Sequence, residues 1–347
     1  MKKVTIVDIA KKAGVSVTSV SFAFNNPNRL PEGTVQRILE IAEEIGYVPD
    51  PIARSMSTGK TGVIGLLVPQ PISEIIRNPF LSEFIEGVGE ISIREGLSIL
   101  LVPPLEGSVK RAVARTAVDG FITIGLELYK STIAILRRRG VAFVMVDTDT
   151  VENISSVNIQ DRKGAYLIMK HILEQGHREI GILGIRSGKE QKINEYSGTL
   201  RDRIAGYQDA LFEYGFHINE KQIHLTESSS THKGGIDGYK HLKKIMPEIT
   251  CMVTMSDVIA YGVMEAVKSE GLNIPDDISI VGFDDIPYSK LVSPPLTTVS
   301  QPIRKKGRLA AEILIQNING NKKIVHEVLP VKLLIRDSVS HPKQYGH

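Results

Sequence analysis

The sequence contains a single cysteine, Cys251, so the chain cannot form an internal disulfide. Its first residues, MKKVTIVDIAKKAG, lack the continuous apolar core of a secretion signal, and no apolar run is long enough to cross a bilayer. We therefore expect a cytoplasmic protein without a membrane partner. The formal net charge of +3 is too small to indicate a nucleic-acid partner by itself, because that inference requires clustered charge.

Motifs of catalysis and metal binding are also missing. The GKT at Gly59 to Thr61 lacks the upstream glycine of a phosphate loop, since Arg54 stands in its place. No GxSxG, HExxH or paired-cysteine spacing occurs, and the 9 histidines are scattered. We expect neither a cofactor nor a metal. Missing motifs do not exclude catalysis, so an enzyme remains a minor hypothesis.

The length of 347 residues indicates more than one hydrophobic core, and the first core is predicted to be helical. Thr5 is a suitable N-cap, Gly14 can end the first helix in a left-handed conformation, and Ser16 can cap a second helix. A third helix is predicted from Pro31 to Ile45, and its core face comprises Val35, Ile38, Leu39, Ala42 and Ile45. This arrangement is a helix-turn-helix, although an ordinary helical hairpin gives the same pattern.

The stretch YVPDPIARSMSTGKTG predicts a short helix from Pro51 to about Thr58. A helix of about eight residues is not stable alone in water, so another surface must stabilise it. Together with DIAKKAGVS, VSFAFNNP, EIGYVPDPIARSM and several downstream motifs, this segment resembles the lactose-repressor (LacI/GalR) family over nearly the whole chain. In that family a hinge helix and its dimer mate lie in the DNA minor groove. The resemblance thus implies a homodimer on a palindromic double-stranded operator.

The resemblance also implies roles for individual residues. Val17 and Thr18 match positions that face base edges in the major groove. Met56 matches the apolar wedge of the minor groove, and a core position in the hinge is the alternative. The positions that hold phosphates, together with the first helix N-terminus, are matched by Thr5, Ser16, Ser19, Ser21, Asn25 and Thr34.

One position departs from the family pattern. Phe22 stands where many members carry a guanine-reading arginine, and a phenyl ring offers no donor to a base. We hypothesise that Val17 and Phe22 contact thymine methyl groups while Thr18 is the polar base reader. Alternatively, Phe22 packs against the third helix and contacts no DNA. Residues 1–60 carry only a small positive excess, and the expected phosphate partners are Lys2, Lys3, Arg29 and Arg54.

From Thr61 onward, short apolar runs alternate with helical stretches, which is typical of parallel sheets wrapped by helices. The expected fold class is α/β. It has a three-helix DNA-binding domain over 1–49, a hinge helix and linker over 50–60, and a two-lobe sensor over 61–340 that resembles type I periplasmic binding proteins. The predicted lobe crossings lie near Gln160, 291–301 and 320–328. The N-lobe is accordingly expected over about 61–160 and 295–322, and the C-lobe over about 161–292 and 325–340.

Effector ligands in open parallel sheets bind beyond the carboxyl ends of strands. Asp147 ends VAFVMVD and Asp284 follows ISIVGF, so both are candidates, although Asp284 could instead cap a loop. The resemblance implies that Arg203 clamps vicinal oxygens or a carboxylate and that Phe80 stacks on a pyranose or a base. Ser256 stands where asparagine is common, which leaves the identity of the sugar open.

Four further residues are interpreted from their local sequence. Arg186 and Tyr196 belong to a long polar loop that can line the site, and an exposed loop without such a role is the alternative. Asp161 is expected to cap the first helix of the C-lobe. Asp257, which opens SDVIAYGV, is a strand-end candidate for the effector site like Asp147, and a role chiefly as a helix cap is the alternative.

The sequence therefore predicts a transcriptional regulator, expected to be a repressor, whose sensor binds a small carbohydrate-like effector between its lobes. The effector is expected to separate the two hinge segments of a dimer and so lower DNA affinity, although the same mechanics allow a corepressor. Two other functions share the sensor architecture: a solute-binding protein for transport, and an enzyme that uses Asp284 and Asp147 as acid and base.

Overall fold

The structure is a computed structural model, which describes residues 4–68, 70–105, 108–125, 130–185, 196–220 and 222–343. The chain divides into two compact units. The first comprises the residues up to Val63 with Ala117–Asp119, and the second comprises Ile64–Thr116 with the residues from Gly120 onward. No described helix is long and apolar enough to cross a bilayer. Lys2, Lys3 and Arg186 lie outside the described residues.

From residue 4 onward, the first unit forms four helices and one 3-10 turn. They are α1 Ile6–Ala13, α2 Val17–Asn25, the turn Pro27–Arg29, α3 Glu32–Glu44 and α4 Pro51–Thr58. The first three helices close a small core, in which the fully or nearly fully buried side chains are Ile9, Ala10, Ala13, Val20, Ala23, Ile38 and Ala42. Leu39 was predicted to belong to this core, but its side chain is 38% exposed. The apolar face of α3 is therefore narrower than the sequence indicates.

The turn between α1 and α2 forms as the sequence predicts. Gly14 adopts a left-handed conformation with φ of 66° at the end of α1. Ser16 then caps α2, and its hydroxyl accepts a hydrogen bond from the amide of Ser19 at 3.0 Å. The helix-turn-helix is thus fixed by local backbone chemistry as well as by its core.

The second unit contains two six-stranded sheets. The first sheet has the order β11-β5-β4-β3-β1-β2, with strands β1 Val63–Leu67, β2 Ser98–Val102, β3 Gly120–Ile124, β4 Ala142–Val146, β5 Ser156–Ile159 and β11 His326–Leu329. The pairs that join β1, β3, β4, β5 and β11 are parallel. The helices of this lobe are α5 Ile72–Arg77, α6 Pro79–Arg94, α7 Val109–Arg115, α8 Lys130–Arg138 and α13 Ile303–Ile318.

The second sheet has the order β12-β10-β9-β8-β6-β7. Its strands are β6 Ile180–Ile185, β7 Ile223–Ser228, β8 Cys251–Thr254, β9 Ser279–Asp284, β10 Thr297–Ser300 and β12 Lys332–Leu334. Only the β10–β12 pair is antiparallel among the described pairs of this sheet. The helices of this lobe are α9 Asp161–Glu174, α10 Gly198–Glu213, α11 His232–Ile245 and α12 Asp257–Ser269.

The lobe boundaries near the C-terminus differ from the prediction. β5 ends at Ile159 in the first sheet and α9 begins at Asp161 in the other lobe, so the chain leaves the first lobe near Gln160. β10 belongs to the second sheet, so the N-lobe resumes near Gln301 and not at 295. β11 belongs to the first sheet, so the last crossing follows Leu329 instead of lying within 320–328. Both strands are short and polar, TTVS and HEVL, and lack the apolar run that marked the predicted strands.

Glycine allows α13 to pack directly on α6. A Cβ atom at Gly307 would lie 2.3 Å from the carbonyl oxygen of Phe84, and one at Gly87 would lie 2.1 Å from that of Arg304. Neither contact is possible for a larger residue without moving a backbone. This close packing fixes the first turns of α13, which carry the side chains of the candidate effector site.

Candidate DNA interface and effector site

The α2 helix presents one face to solvent. Val20 and Ala23 are buried in the core, whereas Val17 and Thr18 are exposed. Ser21 and Asn25 are half-buried on the open side, and the amide of Asn25 lies 3.4 Å from the hydroxyl of Ser21. Residues at the start and along one side of a single helix are therefore accessible together, as insertion in a major groove requires.

Phe22 does not contribute the aromatic packing of this core. That role belongs to Phe24, whose ring packs against the core and lies 5.5 Å from the ring of Tyr47. Phe22 is half-buried, and the guanidinium of Arg29 lies over its ring, 5.2 Å from the centroid. Phe22 and Arg29 thus form a contact that sequence reasoning did not anticipate.

The hydroxyl groups predicted to hold phosphates lie at helix starts. Thr5 precedes α1, and its amide and hydroxyl both donate to a carboxylate oxygen of Asp8, at 2.9 and 2.8 Å. The Ser16 and Ser19 hydroxyls lie 2.9 Å apart at the start of α2. Thr34 is half-buried in the first turn of α3. At α1 the Thr5 donors already serve Asp8, whereas the starts of α2 and α3 combine backbone donors with a hydroxyl, which suits an oxyanion.

The predicted hinge helix, α4, is capped at both ends but buries none of its residues. Asp50 accepts a hydrogen bond from the amide of Ile52 at 2.9 Å, and Gly59 ends the helix with φ of 69°. Ile52 is 73% exposed and Met56 is 85% exposed. Met56 therefore does not form a hinge core within this chain, and its apolar side chain remains available to another surface.

The segment after α4 is held by an aspartate that the sequence analysis did not identify. The Asp119 carboxylate accepts hydrogen bonds from the amide of Thr61 at 2.6 Å, from its hydroxyl at 2.9 Å and from the amide of Gly62 at 2.8 Å. Asp119 immediately precedes β3, and nothing in its sequence neighbourhood signals a partner that is 58 residues away. The end of the linker is thereby fixed.

In the second unit, Asp147 and Asp284 lie at the carboxyl ends of β4 and β9, as predicted. Both have positive φ angles, 54° and 133°, which are costly for residues other than glycine. A cationic side chain holds the first of them: the Lys306 ammonium lies 2.7 and 2.9 Å from the two Asp147 carboxylate oxygens. Lys306 is fully buried. The backbone strain at Asp147 thus accompanies a buried ion pair.

Gln301 connects the two carboxylates across the lobe crossing. Its carbonyl oxygen accepts a hydrogen bond from Lys306 at 2.6 Å, and its amide donates to Asp284 at 2.6 Å. The Phe80 ring lies 5.2 Å from the same ammonium, and its backbone amide donates to Asn78, which caps α6. A continuous set of contacts therefore joins three of the predicted effector residues through two residues that were not predicted.

Arg203 is 4% exposed and points into the same region. It donates to Asp161 at 2.8 Å and to the carbonyl of Met255, and its guanidinium lies 3.6 Å from the centre of the Phe283 ring. Burial raises the pKa of Asp161 to about 6 in spite of the opposing effect of Arg203. Burial also raises the pKa of Asp284 well above its ordinary value, again against the effect of Arg203.

Two predicted helix caps are wrong. Asp161 is the first residue of α9, and its carboxylate pairs with Arg203 instead of capping the helix. Asp257 is the first residue of α12, whose cap is Ser256, which accepts from the amide of Ile259 at 3.3 Å. In each case the residue one position earlier stands at the N-cap position, so the aspartate side chain is free to make a tertiary contact.

Further polar side chains of the second unit are buried. The Tyr196 hydroxyl donates to Glu227 at 2.7 Å, and the Tyr196 side chain is buried. Among the described residues, the Gln160 carbonyl oxygen and the Tyr207 hydroxyl are buried without a hydrogen-bond partner in the chain. The region therefore offers acceptors, donors and apolar rings together. No group of three or more metal-ligating side chains occurs within the described part of the chain.

Comparisons with known proteins agree with this geometry. Residues 5–50 match the family model described as bacterial regulatory proteins, lacI family, and residues 169–339 match a periplasmic binding protein-like domain. The HTH-type transcriptional repressor PurR of Photobacterium profundum is 30% identical over 344 residues, which cover 96% of this chain and 98% of that protein.

Two solved structures are similar over large parts of the chain. The lac repressor dimer bound to operator and the anti-inducer ONPF has a TM-score of 0.81 at 24% identity, covering 98% of this chain and all of that one. A LacI family regulator from Enterococcus faecium with bound ribose has a TM-score of 0.70 at 26% identity, covering 81% of this chain and all of that one. The first supports the fold alone, and the second also contains a sugar.

Proposed function

Because the chain belongs to the lactose-repressor family of bacterial regulatory proteins, we propose that it represses transcription from a palindromic operator under the control of a sugar effector. The protein binds the operator as a homodimer, with α2 in the major groove and α4 in the minor groove. The effector binds between the two lobes of the second unit. The observation that carries the proposal is the buried polar network of Asp147, Lys306, Gln301 and Asp284 at the carboxyl ends of strands from both sheets.

The DNA-binding part rests on the accessible side of the first unit. Val17 and Thr18 are exposed at the start of α2, where the Ser16 and Ser19 hydroxyls lie 2.9 Å apart and face a phosphate in the proposed complex. Ile52 and Met56 remain exposed on α4. The Asn25 amide donates to the Ser57 hydroxyl of α4 at 3.4 Å, but α4 buries none of its eight residues, so little tertiary packing stabilises so short a helix. A second α4 and the opened base step cover this helix in the proposed complex.

The balance of charge in the sensor supports a neutral, hydroxyl-rich effector. Asp147, Asp161 and Asp284 face two cations, Lys306 and Arg203. Burial raises the pKa of Asp284 well above its ordinary value, which means that this part of the protein disfavours negative charge. An anionic effector would place further negative charge beside these carboxyl groups. A polyol instead donates to the carboxyl oxygens and accepts from Arg203.

The aromatic side chain at the same place fits this class of ligand. Phe80 is half-buried beside the Lys306 ammonium, so one face of its ring is covered and the ring is held in position. Such a ring packs against the C–H face of a pyranose or furanose. The ribose-bound regulator from Enterococcus faecium, which is 26% identical to this chain, supports a sugar as the effector class.

Effector and operator are coupled through the two α4 helices of the dimer. The effector shifts the dimer toward a form in which these helices separate and lose their mutual packing. A coupling free energy of about 1 to 3 kcal/mol per site would change operator affinity about 5- to 150-fold. Effectors that favour the paired form would act as corepressors by the same mechanics.

A selection followed by a ligand screen tests the proposal. An operator is selected from random duplex DNA with the full-length protein, and pentoses, hexoses, disaccharides, sugar phosphates and nucleosides are screened by thermal shift. We expect a palindromic operator and stabilisation by at least one neutral sugar, which then changes operator affinity at least fivefold. Stabilisation by sugar phosphates only, or by a sugar that leaves operator affinity unchanged, would contradict the proposal.

A further inference from the structure

The α2 helix offers few hydrogen-bonding side chains to base edges. Val17 carries no donor or acceptor, and Phe22 offers only a ring, so Thr18 is the one hydrogen-bonding side chain of these three. A single hydroxyl both donates and accepts, and it discriminates poorly between bases. A sequence-specific reader therefore needs another side chain at this surface, and the guanidinium of Arg29 lies over the Phe22 ring.

Arg29 is held by the turn that follows α2. The 3-10 turn Pro27–Arg29 begins directly after the cap of α2, and the amide of Arg29 donates to the carbonyl of Asn26 at 3.0 Å. The next amide, of Leu30, donates to the carbonyl of Pro27 at 3.0 Å. The backbone at Arg29 is thus fixed relative to the end of α2, although the side chain itself is exposed.

The side chain of Arg29 is also positioned. Its guanidinium lies 5.2 Å from the centroid of the Phe22 ring, which is itself half-buried against the first unit. A guanidinium over a ring gains electrostatic and stacking energy through its face while its edge donors stay free. The ring therefore reduces the number of orientations that Arg29 samples and leaves donors available to a third group.

We propose that Phe22 and Arg29 form a composite base reader, in which the ring positions the guanidinium to donate to O6 and N7 of a guanine in the major groove. Arg29 is the specificity-determining residue and Phe22 is its positioning residue. This inference rests on the proposed operator binding and replaces the expectations that Arg29 holds a phosphate and that Phe22 reads a thymine methyl. It differs from a phosphate contact because a phosphate accepts any cation, whereas guanine requires the planar fork.

Five substitutions test the proposal on an operator selected with the wild-type protein, and one of them, Arg29→Gln, removes the charge and the fork together. Arg29→Lys keeps the charge but removes the fork, Phe22→Leu removes the ring but keeps an apolar side chain, and Phe22→Tyr keeps the ring. Lys11→Gln removes an exposed charge from α1 in the same unit and serves as the control. Affinity is measured for the selected operator and for a set in which each G·C pair is replaced by A·T, at several salt concentrations.

We expect Arg29→Lys to lose the preference for one G·C pair in each half-site, by about 5- to 150-fold, without changing the salt dependence. Phe22→Leu should lose most of the same preference at the same pair. Phe22→Tyr and Lys11→Gln should keep it. Circular dichroism melts of each variant confirm that the first unit remains folded.

Two outcomes would overturn the composite reader. If Arg29→Lys retains every base preference, or if Arg29→Gln weakens binding equally on all operators and lowers the salt slope by about one, Arg29 contacts a phosphate. If Phe22→Leu keeps the guanine preference that Arg29→Lys loses, the ring does not position the guanidinium. Failure of operator binding itself is distinguishable, because the wild-type protein would then select no sequence at all.

Discussion

At the scale of single residues, the contacts of the candidate effector site meet at a lysine that the sequence does not single out. Lys306 lies in a charged stretch, IRKKGRL, and a lysine there is most simply interpreted as solvated. Its position can nevertheless be inferred in part, because Ile303, Gly307 and Ala310 place it on the buried stripe of α13. The identity of its partner could not be predicted, since Asp147 is 159 residues away.

Substitution of Lys306 tests how much its ion pair with Asp147 contributes to the stability of the protein. Lys306→Met preserves an unbranched side chain but leaves the Asp147 carboxylate without its cation. Breaking a buried pair in this way should lower the free energy of unfolding by about 3 kcal/mol or more. The double variant Lys306→Met/Asp147→Asn removes both charges and should recover most of that loss in chemical denaturation. A double variant that is less stable than the single one would show that the Lys306–Asp147 contact is not the source of the effect.

Asp257 provides a pH-dependent prediction. Its carboxylate accepts hydrogen bonds from the amide of Ile286 and the hydroxyls of Ser289 and Thr298, yet burial raises its pKa to about 6 from an ordinary 3.8. The folded state therefore binds this proton more tightly than the unfolded state does. The stabilising contribution is present below the ordinary pKa and is lost as pH rises through about 6.

The matched variant is Asp257→Asn, which does not titrate. As the pH rises from 4 to 7, the wild-type protein should lose up to about 3 kcal/mol of unfolding free energy relative to the variant. Denaturant titrations at several pH values measure this difference directly. A difference that is constant over the range would contradict the raised pKa of Asp257.

At the scale of elements, the helices were more predictable than the strands. Thr5, Ser16 and Gly59 stand at helix ends, and residues of these types are local signals for helix ends. α4 runs over the predicted residues Pro51–Thr58. β10 and β11 could not be located because TTVS and HEVL contain too few apolar residues to show a pattern. Their places are set by neighbouring strands in the sheets, which is information that a local sequence window does not contain.

The length and exposure of α4 lead to a prediction for this element. Ala53 is exposed, and Ala53→Gly should cost the helix about 1 kcal/mol per copy through propensity alone. Since a bound dimer contains two such helices, operator affinity should fall by about 5- to 30-fold, while the melting temperature of the free protein should not change. Ala114→Gly on α7 is the matched control, because Ala114 is also exposed and lies in the second unit. Equal effects of both substitutions on operator affinity would contradict a specific role for α4.

At the scale of the whole molecule, the folds of the two units could be predicted from the sequence. The candidate effector site of the second unit could be predicted only in part. The helix-turn-helix and the parallel sheets follow from local spacing, capping and apolar runs. The proposed effector site is assembled from residues as distant in sequence as Phe80 and Lys306, and its predicted members Asp147, Arg203 and Asp284 were proposed from their positions at strand and helix ends. Gln301, which connects the lobes, carries no local signal.

The account depends most on α4 becoming ordered only when a second chain and the operator cover it. Hydrogen exchange of the amides from Ile52 to Gly59 measures this in the full-length protein, alone at high dilution and with its selected operator. We expect exchange close to that of an unstructured peptide in the free protein and strong protection with operator, reversed by a sugar that releases the DNA. Amides that are already protected in the free, dilute protein, to the same degree as with operator, would contradict the account.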